Sequence, residues 1–346
     1  MKNEAQKFCD LGKEFLDRGE PEEALRCYER AIDVDPENPD AWCGRGKAAY
    51  DMGRLERADR DFRRALRLAS RELDDAPLES RSGKKRTRRW WSDPATRPYL
   101  RALHGHGLCR FWLGMYEDAA RTFRKLLRLA PTDPLDVRFL VGETYLRMGR
   151  IERAIHELEH AEDDTDALFN LGLARFYAAD FSGSVNAFRR GIFANLHMEP
   201  FLSETPRAKS DEERAKEDEE EGEGSKGSGE RSRPRDVPTV PGTHPKGLDT
   251  EAAANDYLDR CGDLWFGRPV IQRWLHEVAE HPTVKADVAK HLEHLHALSD
   301  AAITHGDRAR IEGQNTTLRS IERLSASDRQ VASDVLAKIF VLPPAS

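Results

Sequence analysis

Small and aromatic residues recur at a fixed distance along the first two hundred positions. Gly12 and Gly46, Gly19 and Gly53, Ala24 and Ala58, and Ala31 and Ala65 are each 34 positions apart. Within a block, apolar residues fall three and four apart, the spacing that gives a helix one buried face. Phe8, Leu11, Gly12 and Phe15 make one such stripe, and Ala24, Tyr28 and Ala31 make the next. The pattern predicts pairs of antiparallel helices, with Gly or Ala wherever two backbones approach closely. Asp35-Pro36 ends the first pair, because proline lacks an N–H and disfavours helix in the residue before it.

The first block runs from Ala5 to Asn38 and the second from Pro39 to Glu72, with Trp42, Gly46, Tyr50, Gly53, Ala58, Phe62 and Ala65 in register. A third resumes at Leu100 with Leu103, Gly107, Phe111, Gly114, Ala119, Phe123 and Pro131. A shorter fourth, Leu135 to Asp164, keeps Gly142, Tyr145, Gly149, Ala154 and Leu158. A degenerate fifth, Thr165 to Met198, keeps Gly172, Phe176, Phe181, Ser184 and Phe188. A 34-residue helix–turn–helix period resembles the tetratricopeptide repeat (TPR). The resemblance implies an all-α TPR solenoid of about five repeats, interrupted after the second, with protein binding as its function.

Residues 73–99 interrupt the period. They carry Lys84, Lys85, Arg86, Arg88 and Arg89 and then Trp90 and Trp91, leading through Thr96-Arg97-Pro98-Tyr99 into the third repeat. This run, with Phe193 to Pro200 and Tyr257 to Trp274, resembles bacterial TPR proteins similar to the suppressor-of-tumorigenicity type. That group supplies no chemistry to carry over. A basic run beside two tryptophans is the pattern of a nucleic-acid loop, with phosphate contacts and stacking rings. A solvated loop is the plainer expectation, since no second basic stripe is evident in the sequence, and the tryptophans would then cover the apolar end of repeat two.

Composition changes the picture little until residue 201. The chain is 38% hydrophobic and 34% charged with a net charge of −7, which argues against whole-chain DNA binding. Five cysteines without a CxxC are expected to be reduced thiols, and no apolar run suits a membrane span or a leader, so a cytoplasmic protein is expected. Residues 201–247 turn to Glu, Ser, Gly and Pro around Glu219-Glu220-Glu221, a composition that predicts a disordered acidic linker.

Helical spacing returns over 248–342, without repeat signatures. Ala254, Tyr257, Leu258, Cys261 and Trp265 predict one helix; Pro269, Ile271, Trp274, Leu275 and Val278 predict a second, begun by its proline. A third follows Pro282, and Val331 to Phe340 form a last short one. A small C-terminal helical domain is expected, folding alone or docking on the repeats.

Catalytic signatures are missing: no phosphate loop preceded by a strand, no GxSxG and no paired Cys–His. His291-Leu292-Glu293-His294-Leu295-His296 fits neither HExxH nor HxxEH, so no metal or cofactor is expected; a catalytic or metal-binding C-terminal domain is the weakest reading. In TPR stacks the first helix of each repeat lines the concave face. That assigns partner binding to Arg101, Trp112, Phe139, Glu143, Arg147, Phe169, Asn170 and Tyr177. The chaperone-binding members of the family grip a carboxylate with Lys and Asn. Here the matching positions hold Cys9, Lys13 and Gly44, and only Arg101 agrees, so chaperone tails are not the expected ligand. The expectation is a non-enzymatic scaffold for another protein, with the basic loop as a nucleic-acid alternative.

Overall fold

A computed structural model describes residues 2–75, 90–135, 137–161, 164–203, 251–290, 293 and 325–339. Among the described residues every regular element is helical. The described residues form two compact units, one up to His160 and one from Ala161 onward. The basic run Lys84–Arg89, the acidic segment 204–250 and His294, His296 and His305 lie outside the described residues.

The first unit holds four helix pairs: α1 (Lys2–Asp17) with α2 (Pro21–Val34), α3 (Pro39–Asp51) with α4 (Leu55–Asp75), α5 (Arg97–Trp112) with α6 (Tyr116–Leu129), and α7 (Val137–Arg147) with α8 (Ile151–Leu158). Each first helix packs on its own partner and on the second helix of the pair before it. Sequence-local devices set the ends. The Asn38 side chain accepts from the N–H groups of Asp40 and Ala41, and Pro39 opens α3. Asp133 accepts from the N–H groups of Val137 and Arg138 ahead of α7.

Between the paired helices the chain reverses through a left-handed residue: Gly19, Gly53, Gly114 and Gly149, with φ of 75°, 73°, 72° and 68°. Glycine adopts this conformation without the Cβ clash that other residues meet.

The interruption after repeat two does not break the stack. Tyr28 of α2 lies so close to Gly12 and Gly44 that a Cβ on either would strike its ring; Phe62 of α4 fills the same role against Gly46 and Gly105. Gly44 and Gly105 are therefore equivalent acceptors of an aromatic ring, although residues 73–99 intervene. The stack keeps its register across the inserted residues. Its described end folds back on itself: a short 3-10 turn, Pro94–Thr96, precedes α5, the Thr96 hydroxyl donates to the Asp93 carbonyl at 2.7 Å, and the Trp90 ring lies 5.5 Å from that of Tyr99. Trp90 thus packs on the start of repeat three, and Trp91 is exposed.

The second unit starts with the fifth helix pair, α9 (Thr165–Tyr177) and α10 (Phe181–Ala194), followed by α11 (Met198–Ser203). Asp164 and Asp180 cap the pair, and Ala179, with φ of 58°, occupies the turn position that glycine holds in the other four pairs. The C-terminal block contributes α12 (Glu251–Trp265), α13 (Pro269–Ala279), a helical stretch 282–290 and α14 (Ser325–Ile339). It does not stand apart. α13 and α14 pack on α10, and Trp265 and Trp274 are fully buried in a core shared with Phe169, Phe176, Phe181 and Phe188. Arg189 of α10, also fully buried, reaches Asp328 at 2.6 Å and Asp287 at 3.3 Å, and this pairing offsets the cost of burying its charge.

Candidate interaction faces

In each unit the first helices of the pairs present a row of side chains away from their own partners. In the first unit this row carries charge. Arg101 of α5 bonds Asp40 of α3 at 2.5 Å, and Lys47 bonds Asp51 one turn along α3. His104 and Trp112 lie on the same face of α5 as Arg101, at steps of three and eight. His104 Nε2 and Trp112 Nε1 are shielded from solvent, and neither has a hydrogen-bond partner among the described residues. Burial, reinforced by the Lys47 ammonium, pushes the His104 pKa down to about 4, so the imidazole is neutral at pH 7.

Further along, α7 turns the row inward. Phe139 and Glu143 are buried, and Arg147 is nearly so. Glu143 accepts from Arg147 at 3.1 Å, and the guanidinium sits 5.2 Å from the centre of the Phe111 ring. Phe111 meets Trp112 edge-on at 5.1 Å. Glu143 and Arg147 form a buried pair that needs no outside ion.

The second unit fills the same face with its own chain. α12 lies against α9 through a continuous polar line. The Tyr257 hydroxyl donates to Asn170 Oδ1 at 2.9 Å, the Trp265 indole donates to the Tyr257 hydroxyl at 2.8 Å, and Arg260 bonds Asp166 at 2.6 Å. The Phe169 ring lies 6.1 Å from Tyr257 and 6.5 Å from Trp265. Phe169 and Asn170 consequently have no exposed surface. Tyr177 is 42% exposed, its hydroxyl held by Arg268 at 2.7 Å. Next to this line, Asp164 is half-buried beside Asp166, and desolvation followed by that neighbouring charge raises its pKa to about 6.

The eight residues assigned to partner binding therefore separate. Arg101, Trp112 and Tyr177 keep surface that a partner can touch; Phe139, Glu143, Arg147, Phe169 and Asn170 are packed inside. Sequence reasoning missed Tyr257, Arg260 and Trp265 as the groups that cover repeat five. The only hint was a helix with an aromatic, a cysteine and a tryptophan on one stripe. Among the described residues no cluster of His, Cys, Asp and Glu could hold a metal, and no helix is long and apolar enough to cross a membrane.

Models of the TPR repeat match residues 12–53, 39–71 and 101–133, the first three helix pairs. The chain is a tetratricopeptide repeat protein. It is 25% identical over 212 residues to DnaJ homolog subfamily C member 3 of Homo sapiens, covering 54% of this chain and 42% of that one. It is 30% identical over 181 residues to the protein CTR9 homolog of Arabidopsis thaliana, covering 50% of this chain and 14% of that one. The chain thus spans less than half the length of these curated relatives. Among solved structures it is similar to MamA from Desulfovibrio magneticus RS-1, with 19% identity, 55% of this chain and 93% of that one covered, and a TM-score of 0.43. The fourth and fifth helix pairs, which those models leave unmatched, keep the same pairing and a left-handed residue at the turn, Gly149 and Ala179.

Proposed function

We propose that this protein is a non-enzymatic scaffold that holds a segment of another protein against the first-helix face of repeats two and three, around Arg101, His104 and Trp112. The observation that carries the reading is the pair of ring nitrogens on α5. His104 Nε2 and Trp112 Nε1 are shielded and unpartnered, and each such group costs about 1–3 kcal/mol until an acceptor reaches it. They lie eight residues apart on one helix, roughly 12 Å along its axis, a distance an extended peptide covers in about four residues. The carbonyl oxygens of a bound peptide match both nitrogens, with the Arg101–Asp40 and Lys47–Asp51 pairs nearby on α3 and α5.

Repeat five serves a different purpose in this reading. Its equivalent face already holds α12, so Phe169 and Asn170 act in cohesion of the second unit rather than in binding.

The test uses the full chain with a photo-crosslinking residue at Lys47 and, as a separate protein, at Arg26 on α2. Cross-links to a defined partner segment from position 47, lost when Trp112→Ala is added to a protein with unchanged circular dichroism, support the assignment. Cross-links from position 26 alone, or from position 47 regardless of Trp112, overturn it.

A further inference from the structure

We infer that the outer face of α4 is a nucleic-acid-binding ridge that grips phosphate backbones through Arg60, Arg63, Arg67 and Arg71. The helix conceals this in sequence. Leu55–Asp75 contains six arginines and six acidic residues, so it reads as neutral. The fold withdraws the two acidic residues that lie among the arginines, leaving Glu56 and Glu72 exposed toward the ends of the helix. Asp59 is buried and bonds Arg110 of α5 at 2.9 Å and His106 at 2.7 Å; Asp61 is buried and bonds Arg45 of α3 at 2.6 Å. These carboxylates are neutralised from inside the stack. Arg60, Arg63, Arg67 and Arg71 are all exposed and form no ion pair among the described residues.

Steps of three, four and four place the four guanidinium groups on one stripe of the helix. The stripe is roughly 16 Å long at 1.5 Å per residue. One strand of a duplex carries about five phosphates over that length. Arginine suits this task because its planar, weakly hydrated fork bonds two phosphate oxygens at once.

An acidic protein segment is the competing occupant, and the same face argues against it. Protein interfaces draw their affinity from buried apolar anchors. The exposed large apolar side chains of the described residues are Leu11, Trp91, Met115, Tyr177 and Val270, and none lies on α4. A ridge of charge with no apolar centre fits a ligand recognised by its backbone charge alone, without sequence preference.

The experiment is fluorescence anisotropy of the full chain with labelled single-stranded and duplex oligonucleotides of mixed sequence, from 50 to 200 mM salt. A labelled polyglutamate peptide serves as the second probe. One variant carries Arg60→Gln, Arg63→Gln, Arg67→Gln and Arg71→Gln; another replaces the six residues 84–89 by Gln, Ser or Ala. Both are checked by circular dichroism, and glutamine keeps the helix propensity of arginine closely enough to hold α4.

The ridge predicts that the first variant binds nucleic acid at least tenfold more weakly at 50 mM salt. The slope of log affinity against log salt should shrink by about 3 for single strands and nearer 4 for duplex. Equal affinity in that variant and wild type, or loss confined to the 84–89 variant, overturns the proposal. So does arginine-dependent binding of polyglutamate by a wild-type protein that ignores both oligonucleotides.

Discussion

The hydroxyl of Tyr257 donates a 2.9 Å hydrogen bond to Oδ1 of Asn170, 87 positions earlier in the chain, and accepts a 2.8 Å bond from the indole of Trp265. All three groups are buried. This link makes the last repeat and the C-terminal helices one folding unit. Tyr257→Phe leaves both the Asn170 carbonyl and the Trp265 N–H without their partner. A destabilisation of about 2–3 kcal/mol is expected, read from the urea midpoint of the full chain by tryptophan fluorescence. A shift below 0.5 kcal/mol would show that the bond contributes nothing.

Ala179 sits where four other repeats have glycine, at a φ of 58°. Alanine carries a strain there of about 1–2 kcal/mol, part of which glycine returns through the greater freedom of its unfolded chain. Ala179→Gly is expected to stabilise the second unit by about 0.5–1 kcal/mol, and Gly53→Ala to destabilise the first by about 1 kcal/mol. Differential scanning calorimetry of the two variants should give melting shifts of opposite sign.

Acid should act oppositely on the two units. His104 has a folded pKa of about 4, below its ordinary value, so the folded first unit resists its protonation. The stability it contributes is complete above about pH 6.5 and is lost as pH falls toward 4, about 3 kcal/mol in the limit. Asp164 has a folded pKa of about 6, above the ordinary carboxylate value, so the folded second unit favours its protonated form and gains stability as pH falls from 6 toward 4. Denaturant midpoints measured between pH 7 and 4.5 should flatten for the first unit in His104→Asn and for the second in Asp164→Asn, which retains the helix cap. Parallel pH profiles in wild type and both variants would rule out these two groups as the source.

Gly105 lies against the ring of Phe62, with no room for a Cβ. Gly105→Val should cost 3 kcal/mol or more, a value at the severe end for a single overpacking substitution. Phe62→Ala, which empties the same contact, should cost about 3–5 kcal/mol. Thermal melts of each single variant give the two values. The double variant should be better than their sum, since alanine makes room for the valine.

The repeats were legible because their punctuation is local. A glycine at each turn and a small residue at each helix crossing recur at fixed spacing, and neither depends on distant neighbours. The site was legible only in part. The first-helix face is a matter of register and could be read, and Arg101, Trp112 and Tyr177 keep exposed or half-buried surface. That Phe169 and Asn170 are covered depends on Tyr257 and Trp265, and no local pattern joins residues almost ninety positions apart. The basic stripe on α4 was invisible for a different reason. The sequence interleaves Asp59 and Asp61 with the arginines, and only the fold reveals that Arg45 and Arg110 neutralise them.

The insertion also bears on the order in which the molecule assembles. Tyr28 must find Gly44, 16 residues ahead, whereas Phe62 must find Gly105, 43 residues ahead. The longer closure costs about 0.9 kcal/mol more in chain entropy, enough to slow that encounter several-fold. Folding of the first unit should therefore nucleate on the amino-terminal two repeats and then recruit the third. Kinetic φ-values near one at Tyr28 and near zero at Phe123, which packs on Gly107 within repeat three, are the signature of that sequence, and the reverse ranking would exclude it.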